Sequence, residues 1–174
     1  MDVAAVYLEL FGRIPPLCRI AADGLDAEAL AHQVQPGTNP IGWLVWHLTR
    51  VQDHHVSELL PAEQLWLTDG WAARFGREPA VMDVGYGQSA DEVAAFDPVS
   101  ADLLMAYQDA VDARTREYLA GLTEAALDTI VDRNWDPPVT LGVRLVSVAD
   151  DSLQHAGQAL YLRGLLDPDW RFPA

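Results

Sequence analysis

Two short stretches of the chain carry side chains able to hold a cation. In NPIGWLVWHLTR, residues 39–50, His47 interrupts an otherwise apolar run. In DDSLQHAGQAL, residues 150–160, Asp151 and His155 lie four residues apart. On a helix that spacing stacks two side chains on one face, about 6 Å apart, and suits two ligands of one ion. His47, from a second helix, would add a third donor. Two imidazole nitrogens and one carboxylate oxygen leave a coordination position open for water or substrate, the pattern of a catalytic zinc or a related divalent ion. The same spacing also describes an Asp–His ion pair on a helix surface. A lone histidine in an apolar run is often a hydrogen-bonded core residue, so spacing alone leaves both readings open.

The remaining histidines fit this group poorly. His54 is seven residues past His47, ~10 Å along a helix axis, and His55 is ~12 Å along and rotated by roughly 80°. Neither is expected to share an ion with His47. His54 and His32 read as surface residues. His55 falls opposite His155 if Gly42 and Gly142 are set equivalent, and it reads as a pocket residue or substitute ligand. Cys18 sits beside Leu17 and Ile20 and reads as buried filler, with no internal disulfide available to a single cysteine.

Composition narrows the function classes. The net charge is −15, with 11 basic residues, all arginine and unclustered. Phosphate backbones and anionic lipid require clustered positive charge, so neither nucleic acid nor membrane is an expected partner. No apolar run reaches the ~20 residues of a membrane span, and the N-terminus does not read as a signal peptide. A cytoplasmic protein is expected. At 174 residues, half of them hydrophobic, the chain is expected to form one domain with a full core.

The elements that must position these residues read as helices throughout, with no convincing period-two alternation. A first helix is expected over Val3–Ala22, with Val6, Leu10, Ile14 and Leu17 as its core stripe and a kink at Pro15-Pro16. A second starts with Asn39 as N-cap and Pro40 in the first turn, and stops at Pro61. A third runs from Ser100 to Gly121, and a fourth from Thr140 to Asp167-Pro168. GLDAEAL after the first helix and GLTEAAL after the third suggest a weak internal repeat of two helical hairpins. The connector between the hairpins, Pro61 to Val99, carries Trp66, Trp71, Phe75 and Tyr86, which are expected to pack across one end. The predicted architecture is all-α: a four-helix bundle with a long crossover connection between helices 2 and 3.

WLVWHLTRVQDHH on the second helix and DDSLQHAGQALYLRGLL on the fourth resemble the DinB-like metal-binding four-helix superfamily, over nearly the whole chain. The resemblance is strongest to actinobacterial members related to mycothiol-dependent S-transferases and maleylpyruvate isomerases. It implies one divalent metal, zinc first and nickel, manganese or iron as alternatives, held by His47, Asp151 and His155. Many members carry histidine at the first of the two fourth-helix positions. The isomerases have a carboxylate there, as Asp151 does here. They also have a C-terminal domain, for which a chain ending at Ala174 has no room, and this favours a stand-alone S-transferase.

The reading reached is a metal-dependent thiol S-transferase that activates mycothiol as a metal-bound thiolate to conjugate electrophiles in detoxification. Small thiol and electrophile are its expected partners, and the family suggests a homodimer. Gln158, Asp53 and Gln52 are expected to orient the ligands, and Trp43 and Trp46 to wall the pocket. A hydrolase using metal-bound water, or a non-catalytic bundle acting through dimerisation or partner binding, is the alternative.

Overall fold

Capping side chains set where the long helices begin. In the computed structural model, which describes residues 1–173, Ser100 Oγ accepts from the Leu103 N–H at 3.1 Å and opens one of them. Thr140 Oγ1 does the same for Val143 at 3.4 Å. The helices are α1 (Val3–Phe11), α2 (Ile14–Ala22), α3 (Ala27–Ala31), α4 (Ile41–Glu58), α5 (Leu65–Thr68), α6 (Trp71–Arg74), α7 (Ala90–Ala94), α8 (Ala101–Ala120) and α9 (Leu141–Leu166). A 3-10 turn covers Glu124–Asp128. The chain is thus mainly helical. α4 packs against α9, α8, α3 and α2, α2 also packs against α8 and α9, and α1 against α8. None of the helices is long and apolar enough to cross a membrane, among the described residues.

The helix boundaries, one core stripe and the strand content differ from the sequence-based expectation. The first helix is two helices, separated at Gly12-Arg13, because Pro15 and Pro16 occupy the first turn of α2, where a missing N–H breaks no helical bond. Its buried stripe is Tyr7, Phe11, Ile14, Cys18 and Ala21, while Val6 faces solvent. The N-cap of α4 is Pro40, one residue later than expected, so Asn39 does not cap it. Two short strands also form: β1 (Ile130–Asp132) pairs antiparallel with β2 (Val139–Thr140) just before α9, too short to show alternation in sequence.

The proposed repeat has a structural counterpart. A Cβ built on Gly42 would lie 3.0 Å from the Leu30 carbonyl oxygen and 2.6 Å from Pro98 Cβ. One built on Gly142 would lie 3.4 Å from the carbonyl of Leu127, which matches Leu30 in GLTEAAL and GLDAEAL. In both halves a glycine lets the first turn of a long helix approach the short element before it.

The connector is pinned by a buried ion pair. Arg50 on α4 is fully buried and donates to Asp53 Oδ2 (3.2 Å), Tyr107 OH (3.0 Å), Gln64 Oε1 (2.7 Å) and the carbonyls of Asp83 (2.9 Å) and Val81 (3.3 Å). Asp53 in turn accepts from the N–H groups of Leu65 (3.0 Å) and Trp66 (2.9 Å) and from Tyr107 OH (2.7 Å). Trp66, Trp71 and Phe75 bury their rings around Tyr107, whereas Tyr86 lies in solvent. Removing one member of a buried ion pair leaves the other charge uncompensated, so Arg50→Ala is expected to cost about 3–5 kcal/mol. Urea unfolding measures this, and a loss below about 1 kcal/mol, as for an exposed pair, would contradict it.

Candidate metal centre and its surroundings

α4 and α9 bring the three sequence-selected donors together. A ligand atom from each of His47, Asp151 and His155 lies within 4.8 Å of the others. The two imidazole rings meet edge to face, with centroids 4.8 Å apart. His47 is buried, and its other neighbours fix the ring: Trp43 stacks on it at 4.6 Å, with an interplanar angle of 12°. Its Nδ1–H donates to the Val84 carbonyl, which leaves the Nε2 lone pair facing the group. Burial lowers the His47 pKa and favours the neutral ring.

His155 is held from both sides. Its Nδ1 lies 2.9 Å from Gln158 Oε1, and its Nε2 lies 3.5 Å from Asp151 Oδ1. The hydrogen bond to Asp151 raises its pKa, and burial opposes this. In the neutral ring the bond to Gln158 keeps the proton on Nδ1, so Nε2 is free for a cation. Asp151 Oδ2 is buried and has no hydrogen-bond partner among the described residues. A buried carboxylate oxygen without a donor is costly unless a cation or proton meets it. Two imidazoles with their protons turned outward and an orphaned carboxylate oxygen fit a divalent ion.

The loop that closes this group was visible in the sequence only as a turn signal. Gly85 has φ +86°, and a Cβ there would lie 2.8 Å from Trp43 Cζ2, 2.9 Å from His47 Nδ1 and 3.0 Å from Trp46 Cζ3. Gly85 must therefore lack a side chain for both conformation and space. Trp43 Nε1–H donates to Gln88 Oε1 at 2.8 Å and ties the loop down just beyond Gly85. Val84 was not anticipated, because its contribution is a backbone carbonyl.

Other expected site residues lie elsewhere. Asp53 belongs to the Arg50 network and Gln52 donates to Thr115 at 2.8 Å, so both serve packing against the connector and α8. Trp46 is fully buried against Phe96 and Trp66, beneath Gly85, and does not wall an open pocket. Cys18 is fully buried, with its thiol pushed up to about 12 by desolvation, which excludes it as a nucleophile near neutral pH.

His54 and His55 form a separate group with Glu58. His54 is not the surface residue expected: Gln64 Nε2 donates to its Nδ1 at 2.7 Å, and little of its side chain is exposed. His55 Nδ1 lies 3.2 Å from Glu58 Oε2, and Arg144 Nη1 reaches that carboxylate oxygen at 2.6 Å. Arg144 also pairs with Asp132 at 3.0 Å. The guanidinium already supplies the positive charge this group needs, so its acids are neutralised without a metal.

Two consequences are measurable. Gly85→Ala is expected to push Trp43 and His47 aside and weaken divalent-metal affinity by about 10–100-fold, as loss of a ligand-orienting contact does. Gly87→Ala is the control, since φ is also positive there but nothing lies within 4 Å of its Cβ. Equal metal affinity in the two variants would refute a closing role for Gly85. The second consequence concerns acid. Desolvation lowers the pKa of His47, His54 and His55, so each binds a proton more readily in the unfolded chain, near about 6.5. Stability from these three falls as pH drops below that value. His155 acts oppositely, adding stability below about 6.5 that is lost as pH rises through its raised value. With three groups against one, the metal-free protein should have a lower urea midpoint at pH 5.5 than at pH 7.5, and an equal or higher midpoint would count against the neutral buried imidazoles.

Comparisons with known proteins bear on the fold and the family. A solved structure described as a conserved protein from Enterococcus faecalis superposes with a TM-score of 0.88 at 30% sequence identity, covering 97% of this chain and 99% of that one. No curated protein matches the chain. Residues 17–168 match the mycothiol-S-transferase family and include all three converging donors and the loop that covers them. A chain matched over that span, with both donor-bearing helices inside it, belongs to the mycothiol-S-transferase family.

Proposed function

We propose that the chain is a metal-dependent thiol S-transferase that joins mycothiol to electrophilic small molecules. The proposal extends to its frame, a four-helix bundle with one long crossover, and to a homodimeric, cytoplasmic enzyme of detoxification. Zinc is the proposed ion, held by His47, Asp151 and His155, with nickel, manganese or iron as alternatives suited to the carboxylate oxygen. The observation that carries the reading is the buried, unpartnered Oδ2 of Asp151 beside two imidazoles whose Nδ1 protons are held outward. The chemistry such an ion supplies when bound is a lowered thiol pKa, so that the nucleophile exists near neutral pH.

The chain's own residues supply orientation and exclusion. Val84 and Gln158 each hold a ligand imidazole in one tautomer. Trp43 and Gly85 cover the His47 side and keep water from that face of the ring. The one cysteine, Cys18, is buried and protonated near neutral pH, so the nucleophile in this reading is the thiol co-substrate.

Purified protein is expected to carry about one divalent ion per chain, the stoichiometry of a three-ligand centre. A fluorogenic electrophile should be conjugated only when mycothiol is present, and chelation should abolish the reaction until metal is restored. His47→Ala and His155→Ala should lose both metal and turnover. Turnover without any thiol would indicate a hydrolase, and conjugation insensitive to chelation would overturn the metal-dependent reading.

A further inference from the structure

Beside the converging donors lies a cavity of about 620 Å³ between residues 37–39 and the outer face of α9. Thr38, Asn39, Gln154, Gln158 and Tyr161 supply its polar groups, and Leu44 and Leu162 its apolar wall. Not one lining residue is charged, although the chain has 26 acidic and 11 basic residues. A charged ligand would meet no counter-charge here. A purely apolar one would strip water from amides and hydroxyls without replacing their hydrogen bonds.

The polar groups share one character. Amides and hydroxyls both donate and accept, which matches a ligand rich in hydroxyl groups. Tyr161 is 70% exposed and offers an aromatic face of the kind on which a sugar ring packs its C–H side. Asn39 stands where a helix cap is expected, yet the cap position falls on Pro40 and Asn39 lines the cavity. Gln158 joins the cavity to the donor group: its Oε1 meets His155 Nδ1 at 2.9 Å, and its amide nitrogen is the other end of the same planar group.

We propose that this cavity is the subsite for the neutral, polyhydroxylated, sugar-like body of the thiol co-substrate, with Gln158 coupling its occupancy to the orientation of His155. The attachment of that body to a thiol rests on the transferase reading, whereas the ligand class rests on the cavity alone. A thiol whose sugar end lies here would place its sulfur end toward His155, and thiols lacking a sugar would lose this hold.

The probe is an N-acetylglucosaminyl-inositol glycoside, which is uncharged and lacks the cysteine, titrated by calorimetry into the metal-loaded full chain. Asn39→Ala and Tyr161→Ala are each expected to raise its Kd about tenfold. Both side chains lie at the surface of the cavity, and circular dichroism checks that the variants stay folded. In the conjugation assay, the preference for mycothiol over N-acetylcysteine, as a ratio of kcat/KM, should fall about tenfold in the same variants. No glycoside binding, or equal Kd in wild type and both variants, overturns the subsite. Glycoside binding that the variants weaken, without any thiol transfer, upholds the subsite and refutes the transferase reading. Transfer whose thiol preference is unchanged in both variants does the reverse.

Discussion

The fully buried Arg50 guanidinium is the constraint on which the site depends. A charge withdrawn from water survives only if every donor finds a partner, and here the partners come from three regions. Asp53 lies one turn along α4, Tyr107 is on α8, and Gln64 and two carbonyls belong to the connector. A long connector has high conformational entropy and would not by itself settle over one end of the helices. Satisfying Arg50 and Asp53 fixes it at both its beginning, Gln64 to Trp66, and its middle, Val81 to Asp83. The aromatic rings of Trp66, Trp71 and Phe75 then close around Tyr107.

From that anchor the geometry reaches the donors in one step. Arg50 and His47 are three residues apart on α4 and grip consecutive carbonyls of the connector, those of Asp83 and Val84. The guanidinium therefore determines where the acceptor that orients His47 lies. Arg77 strengthens the same point, binding the Asp83 carboxylate through two hydrogen bonds of 2.7 Å while its guanidinium lies 5.1 Å from the Trp46 ring centre. Gly85 follows at once and is tight against Trp43, Trp46 and His47. A structural ion pair thus sets the tautomer of a donor that it never touches.

Much of what rests on local chemistry was legible in the sequence, the cap of α4 excepted. The Ser100 and Thr140 caps and the Asp151/His155 contact lie within one turn of helix, so these contacts could be read from residues a few positions apart. The core stripe of the first segment was misjudged because it uses Tyr7, Cys18 and Ala21, while the more hydrophobic Val6 and Leu10 were the obvious choice. Asp53 and His54 looked like site or surface residues because their partners, Tyr107 and Gln64, lie 54 and 10 residues away. Val84 left no signal, since a carbonyl oxygen is common to every residue. Long-range hydrogen bonding was the illegible component, and it is the component that builds the connector.

The approximate repeat explains why the α4–α9 seam carries two polar groups with opposite fates. Gly42 and Gly142 set α4 and α9 against equivalent short elements, which makes His55 the counterpart of His155 and Glu58 that of Gln158. Each histidine indeed meets the side chain three residues on, at 3.2 and 2.9 Å. The difference lies at the facing helix starts, where Arg144 corresponds to Leu44. Arg144 inserts a cation between His55, Glu58 and Asp132, and the station is filled by ion pairs. Leu44 brings no charge, so Gln158 meets no guanidinium and lies beside an open cavity without ion pairs. One guanidinium, present in one half and absent from the other, separates a closed electrostatic lock from an open cavity with uncharged walls.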